Sequence, residues 1–153
     1  MYRIYLDTKI LIGKIIGSPS EKREYNQILI KIKKNYREIF IPQTVLGESF
    51  VKILEKSKSI EDDMIFFTKM INGLTDIKTQ TPPLVRNILE MALDIQSKDE
   101  YNIGYCDAIL VSHALCNTVD CAVFIIDKDV HQSTKIQNKL NECHHKVKLI
   151  DSI

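Results

Sequence analysis

The chain has 153 residues, of which 44% are hydrophobic and 27% charged, with a formal net charge of +1. That length supports one domain with its own core and is too short for two ordinary ones, so residues 1–153 are expected to fold as a single domain. The composition excludes low-complexity and fibrous classes, and no apolar stretch approaches the ~18–20 residues needed to span a bilayer, so no membrane partner is expected.

The N-terminus enters strand-like sequence at once, without a basic-then-apolar leader, and a cytoplasmic protein is the expectation. Residues 2–6 form a short apolar run bounded by charge, which predicts a buried strand. Residues 8–16 predict a short helix ending at Gly17. Ser18, Pro19 and Glu21 then carry the signature of a new helix start, followed by Tyr25, Ile28, Leu29, Ile32 and Tyr36 at helical spacing. A second strand is expected over 39–41, stopped by Pro42. The helix predicted over 44–58 would turn Val45, Leu46, Phe50, Val51 and Leu54 inward. Ser59, followed by Glu61 and Asp62, fits the start of a helix running to Asn72 and Gly73.

A weak third strand is expected over 76–79, and Pro82-Pro83 opens a helix reaching Ile95. After a polar connection over 97–104, the pattern predicts a helix over 105–116, a strand over 122–126, a helix over 131–140 and a last strand over 147–150. Strands that alternate with helices and are continuously apolar argue for an α/β, three-layer α/β/α fold with a five-stranded, mainly parallel sheet.

Four cysteines in a chain of this length do not call for disulfide staples, and none lies in a C-x-x-C pair. Cys106 and Cys116 fit as small apolar residues on a helix. Cys143, His144 and His145 can be drawn with His131 as a metal cluster, although a polar stretch before the last strand explains them more simply. Charge is unevenly spread: residues 1–58 carry 12 basic and 6 acidic side chains, and residues 59–153 carry 9 and 14. The basic half includes Lys31, Lys33, Lys34 and Arg37, which suit a solvated helix face balanced by Glu21, Glu24 and Glu38, or a phosphate-contacting surface.

Four carboxylates stand at the ends of apolar runs. Asp7 closes the first strand, Glu48 follows the second, Asp107 opens an apolar helix, and Asp127 closes the run Ala122-Val123-Phe124-Ile125-Ile126. An acid placed against buried structure is costly unless it is compensated. In parallel α/β folds the ligand crevice lies beyond the carboxyl ends of the strands, and all four acids fall on that edge. One acidic pocket of this kind suits Mg²⁺ or Mn²⁺, which prefer oxygen ligands and activate a bound water for attack on a phosphodiester. Three of the acids also have an ordinary account, Glu48 as a solvated helix residue, Asp107 as a helix cap, and Asp127-Lys128-Asp129 as a capped turn, whereas Asp7 after a strand is the hardest to explain that way.

These blocks resemble the PIN-domain family. The resemblance lies in Tyr5-Leu6-Asp7-Thr8, Ile41-Pro42, Val45-Leu46-Gly47-Glu48, Cys106-Asp107-Ala108-Ile109-Leu110-Val111-Ser112-His113-Ala114 and Ile126-Asp127-Lys128-Asp129, which occur in the family's order and spacing. It implies a five-stranded parallel nuclease that uses Mg²⁺ or Mn²⁺ and cuts single-stranded RNA. VapC-type toxins paired with an antitoxin, and homodimers, are common in that family and become expectations here. It further implies that Asp7, Glu48, Asp107 and Asp127 carry the catalysis and hold the metal, with Asp129 as an accessory acid and Thr8 beside the site.

The chain departs from the family pattern at two positions. Lys9 stands where Asn or Ser is common, and Ile125 where Thr or Ser is common. Lys9 could contact the substrate phosphate, stand among the acids in place of a metal, or point to solvent. These departures support an alternative function, a catalytically degenerate PIN domain that binds RNA or protein without cutting. A receiver-type phosphotransfer domain is disfavoured, because no adjacent acidic pair follows the first strand. Nor is there a Gly-rich phosphate loop.

Overall fold

Parallel pairing places Arg3–Leu6 (β1) at the centre of a sheet, between Glu38–Phe40 (β2) and Cys121–Phe124 (β4). The computed structural model describes residues 2–74, 78–97 and 101–153. Lys78–Gln80 (β3) pairs with β2 and Val147–Ile150 (β5) with β4, giving the order β3-β2-β1-β4-β5, all parallel. The fold is therefore α/β with a five-stranded parallel sheet flanked by helices. β1, β2 and β4 are almost wholly buried, whereas β3 and β5 are partly open at the edges. That is why the central runs are continuously apolar and the third strand is hard to see from sequence.

Thr8–Ile16 (α1) follows β1 directly and is buried along most of its length. Pro19–Asn35 (α2) begins with a full capping box, in which the Glu21 amide donates to Ser18 Oγ and Ser18 N donates to the Glu21 carboxylate. α2 packs closely on α1 because Gly13 leaves room: a Cβ there would stand 2.3 Å from Tyr25 Cδ2. Gln43–Lys56 (α3) and Ile60–Asn72 (α4) cover the same side, and both contact α1. Arg86–Gln96 (α5) packs on Tyr105–Cys116 (α6), in which residues 108–114 are all buried. Lys128–Gln132 (α7) and Thr134–Glu142 (α8) connect β4 to β5. No helix among the described residues is long and apolar enough to cross a membrane.

Several expected boundaries move for physical reasons. The helix opened by Pro82-Pro83 starts only at Arg86, because Val85 is extended and stands as its N-cap. The helix expected over 131–140 is two helices, broken at Ser133, whose hydroxyl accepts from the Ile136 amide at 3.2 Å. The expected third strand is found at Lys78–Gln80, while Asp76 and Ile77 lie outside the described residues. On α3 the inward stripe is Val45, Ser49 and Ile53, four residues apart, with the Ser49 hydroxyl satisfied by Val45 O at 2.7 Å. Phe50, Val51 and Leu54, expected inward, are instead 44%, 49% and 43% exposed.

Charge at the N-terminal edge of the sheet is closed off within the fold. The register aligns Arg3, Glu38 and Lys78 across three strands. Arg3 Nε and Lys78 Nζ reach the two Glu38 oxygens at 2.6 and 2.7 Å, and the Gln80 amide adds a third donor. The Lys78 hydrogen bond leads in holding Glu38 below the usual carboxylate range, and those of Arg3 and Gln80 help it outweigh burial.

His113 on α6 is 3% exposed, and its Nε2 has no hydrogen-bond partner among the described residues. Burial pushes its pKa down from 6.5 to about 4. The unfolded chain therefore binds a proton in that window when the folded chain does not, so stability is full above pH 6.5 and is lost as pH falls toward 4. Comparing urea unfolding of the wild type with His113→Gln across this window, we expect the wild-type advantage to shrink by up to ~3 kcal/mol on acidification. A gap that does not change with pH would contradict the account.

Candidate functional site

The chain runs from β1 outward through β2 to β3 and then crosses back to β4, so the sheet reverses direction of growth beside β1. Strand carboxyl ends diverge at such a point and leave a crevice. A cleft of 760 Å³ opens there, and Asp7, Glu48, Asp107 and Asp127 all line it. The fold thus brings together the four acids that sequence singles out, from four separate elements.

Asp7 leaves the end of β1 and occupies the N-cap position of α1 without a side-chain capping bond. Burial first, and the Glu48 charge second, push its pKa up to about 6. Asp107 is presented by the first turn of α6, whose cap is Gly104, so the simple capping account of Asp107 does not hold. Gly104 lies close against it: a Cβ there would be 3.1 Å from Asp107 Oδ2. Burial leads in raising Asp107 to about 7, followed by the charges of Asp7, Asp127 and Glu48. The capping account does hold for Asp127, whose Oδ1 accepts from the Asp129 amide at 2.8 Å. Asp127 nonetheless remains exposed on the cleft wall.

Glu48 is held differently. Lys52 Nζ, one helical turn along α3, approaches its Oε1 to 2.5 Å, and the Thr8 hydroxyl donates to Oε2 at 2.5 Å. Burial alone would raise Glu48, but the bonds from Lys52 and Thr8 outweigh it and leave the carboxyl below its usual range. Burial works against the Lys52 charge, yet Glu48 and then Asp7 hold its pKa above the ordinary value. Cys106 beside them is pushed up to about 12 by burial and then by Glu48, so it is a neutral thiol rather than a nucleophile.

The remaining singled-out residues take different places around the cleft. Thr8 is buried beside the site, where its hydroxyl donates to the Glu48 carboxylate. Asp129 does not line the cleft and lends only its backbone amide to Asp127. Lys9 is exposed at the cleft, but the ammonium among the acids belongs to Lys52. Sequence reasoning missed Lys52, although its place four residues after Glu48 on a helix is the spacing of a favourable ion pair. Ile125 is fully buried and offers no polar side chain to the cleft.

The donor set is chemically suited to a hard divalent cation, being all carboxylate oxygen, with repulsion between Asp7, Glu48 and Asp107 that a dication would relieve. Among the described residues no three His, Cys, Asp or Glu side chains stand close enough to enclose one ion. Glu48 is turned to Lys52 and Thr8, and Asp127 to its helix cap. A second cleft, lined by His131, Cys143, His144 and His145, holds a Cys143 Sγ to His145 Nδ1 contact of 3.1 Å.

A folded-state pKa raised above the unfolded value means that Asp107 costs stability once it ionises. The cost is absent below about 3.8, grows as pH rises and is complete above about 7. Without added metal, Asp107→Asn is therefore expected to melt higher than the wild type near about pH 8, by roughly 1–3 kcal/mol, with the advantage vanishing near about pH 4. Thermal melts of both proteins in EDTA across that range check this, and an Asp107→Asn protein that is less stable at every pH would refute it.

No family model matches the sequence, and no curated protein does. Among solved structures, a chain of the crystal structure of VapBC2 from Rickettsia felis, bound to a DNA fragment from their promoter, superimposes with a TM-score of 0.63 at 18% sequence identity. The match covers 97% of this chain and 99% of that one. At that identity the likeness is one of fold, and it runs the length of the chain: the architecture is PIN-like.

Proposed function

We propose that this chain is a divalent-metal-dependent endoribonuclease that hydrolyses phosphodiester bonds of single-stranded RNA. The observation that carries the reading is the gathering of Asp7, Glu48 and Asp107, carboxyls from different elements, at the crevice of a PIN-like fold, where the Glu48 charge raises Asp7 and the charges of Asp7, Asp127 and Glu48 raise Asp107. A folded protein that keeps such a group has use for a cation there.

Asp7, Glu48, Asp107 and Asp127 would hold Mg²⁺ or Mn²⁺, which when bound supplies an acidified water and charge neutralisation at the scissile phosphate. The residues around them have separable tasks. Thr8 fixes the Glu48 carboxylate from the buried side, so that its orientation does not depend on solvent. Gly104 allows Asp107 to lie close to the backbone at the start of α6. Lys9 and Lys56 place positive charge on the cleft wall, where an RNA backbone would enter.

The fold likeness to a VapBC2 component supports a role as the toxin of a toxin–antitoxin pair acting in the cytoplasm. Phe50, Val51 and Leu54 on α3 form an exposed apolar face suited to a protein partner, either an antitoxin or a second copy in a homodimer.

A second reading has a specific observation behind it. The Lys52–Glu48 ion pair and the apolar Ile125 suit a degenerate domain that binds RNA or protein without cutting. Incubation of labelled single-stranded RNA with the purified chain separates the two. Cleavage is expected with Mn²⁺ and not with EDTA, and Asp7→Asn should lower the rate by more than about 100-fold while the circular dichroism spectrum is kept. RNA left intact with Mn²⁺, or equal cutting by Asp7→Asn, would turn the assignment to the non-cutting reading.

A further inference from the structure

The four acids do not stand in the cleft without a cation of their own. Lys52 Nζ lies 2.5 Å from Glu48 Oε1, with the two side chains 35% and 22% exposed. The other Glu48 oxygen is taken by Thr8. Both oxygens of one acid are therefore engaged, one by a fixed buried hydroxyl and one by a flexible ammonium. Lys9 and Lys56 line the same cleft, but among the described residues Lys52 is the cleft lysine in an ion pair with one of the four acids.

An ammonium and a dication on one carboxylate oxygen repel each other, and in a half-buried cleft that repulsion is poorly screened. Holding both there is disfavoured, and the singly charged ion is the one held more weakly. The lysine stem is long and its head is a mobile point charge, whereas Thr8 and Glu48 are anchored by α1 and α3. We infer that Lys52 is a built-in counter-ion, which occupies the metal's place at Glu48 in the ion-free protein and swings out when a divalent cation loads.

This rests on the acidic cleft being a metal site and adds that loading is an exchange of cations. Two consequences follow from charge alone. The ion-free fold is protected from carboxylate repulsion by its own lysine, and the divalent cation binds more weakly than four carboxylates would otherwise allow. Lys52 thereby sets the cation concentration at which the site fills.

Calorimetric titration of the full chain with Mn²⁺ tests this, using wild type, Lys52→Met and Lys56→Met. Lys56→Met removes an equal charge from the same cleft, so it reports the general electrostatic effect. We expect Lys52→Met to bind Mn²⁺ at least about tenfold tighter than the wild type, with Lys56→Met within about threefold. In EDTA, Lys52→Met should melt below the wild type, and Mn²⁺ should raise its melting temperature by more than it raises that of the wild type. If Lys52→Met does not fold, Lys52→Gln carries the same expectations with a polar head retained. Mn²⁺ binding by the wild type, with equal or weaker binding by the Lys52 variants, overturns the exchange and leaves the metal site standing. No Mn²⁺ binding by any of the proteins at millimolar concentration overturns both.

Discussion

Negative charge held out of water must be met by positive charge or by protons, and that requirement shapes both edges of the sheet. At the N-terminal edge the balance closes within the fold: Glu38 receives Arg3, Lys78 and Gln80 through the register of three neighbouring strands. At the C-terminal edge it does not close. Four acids face one cleft, one ammonium is paired among them, and Asp7 and Asp107 are left with pKa values of about 6 and 7. The same kind of side chain is satisfied at one edge and left short of partners at the other, and the difference lies in the number of donors aimed at it.

The fold explains why the imbalance sits where it does. A parallel sheet points every strand's carboxyl end the same way, and the return from β3 to β4 opens the crevice beside β1. α1, α3 and α6 all start at that edge, so the N-cap of α1, the second turn of α3 and the first turn of α6 deliver Asp7, Glu48 and Asp107 to one place from distant parts of the chain. Burial of α6 along residues 108–114 anchors Asp107 from within the core. The site is therefore built on rigid elements, with Gly13 and Gly104 giving the room for close approach.

Much of this was legible in the sequence, because the relevant signals are local. An acid after an apolar run marks a strand's carboxyl end, and Ser18 with Glu21 marks a helix start whichever fold surrounds it. What escaped depends on partners far along the chain. Whether Thr8 faces the cleft or Glu48 depends on how α1 packs on α3. Whether Phe50, Val51 and Leu54 are core or surface depends on which side of α3 meets its neighbours, and an apolar helix with more apolar residues than one stripe needs leaves that open. Lys52 was the costliest omission. Its spacing from Glu48 was plain, but an i, i+4 pair on a solvated helix contributes little, and only the cleft gives this one its weight.

The central claim is that the acids at the C-terminal edge form a cation site. Anomalous diffraction from crystals soaked in Mn²⁺ tests it most directly. The account predicts a single strong peak within coordination distance of Asp7 and Asp107, with the Glu48 carboxylate turned to it and Lys52 displaced. A structure in which the cleft holds no peak while Lys52 stays on Glu48, or in which the ion sits instead by Cys143 and His145, would contradict it.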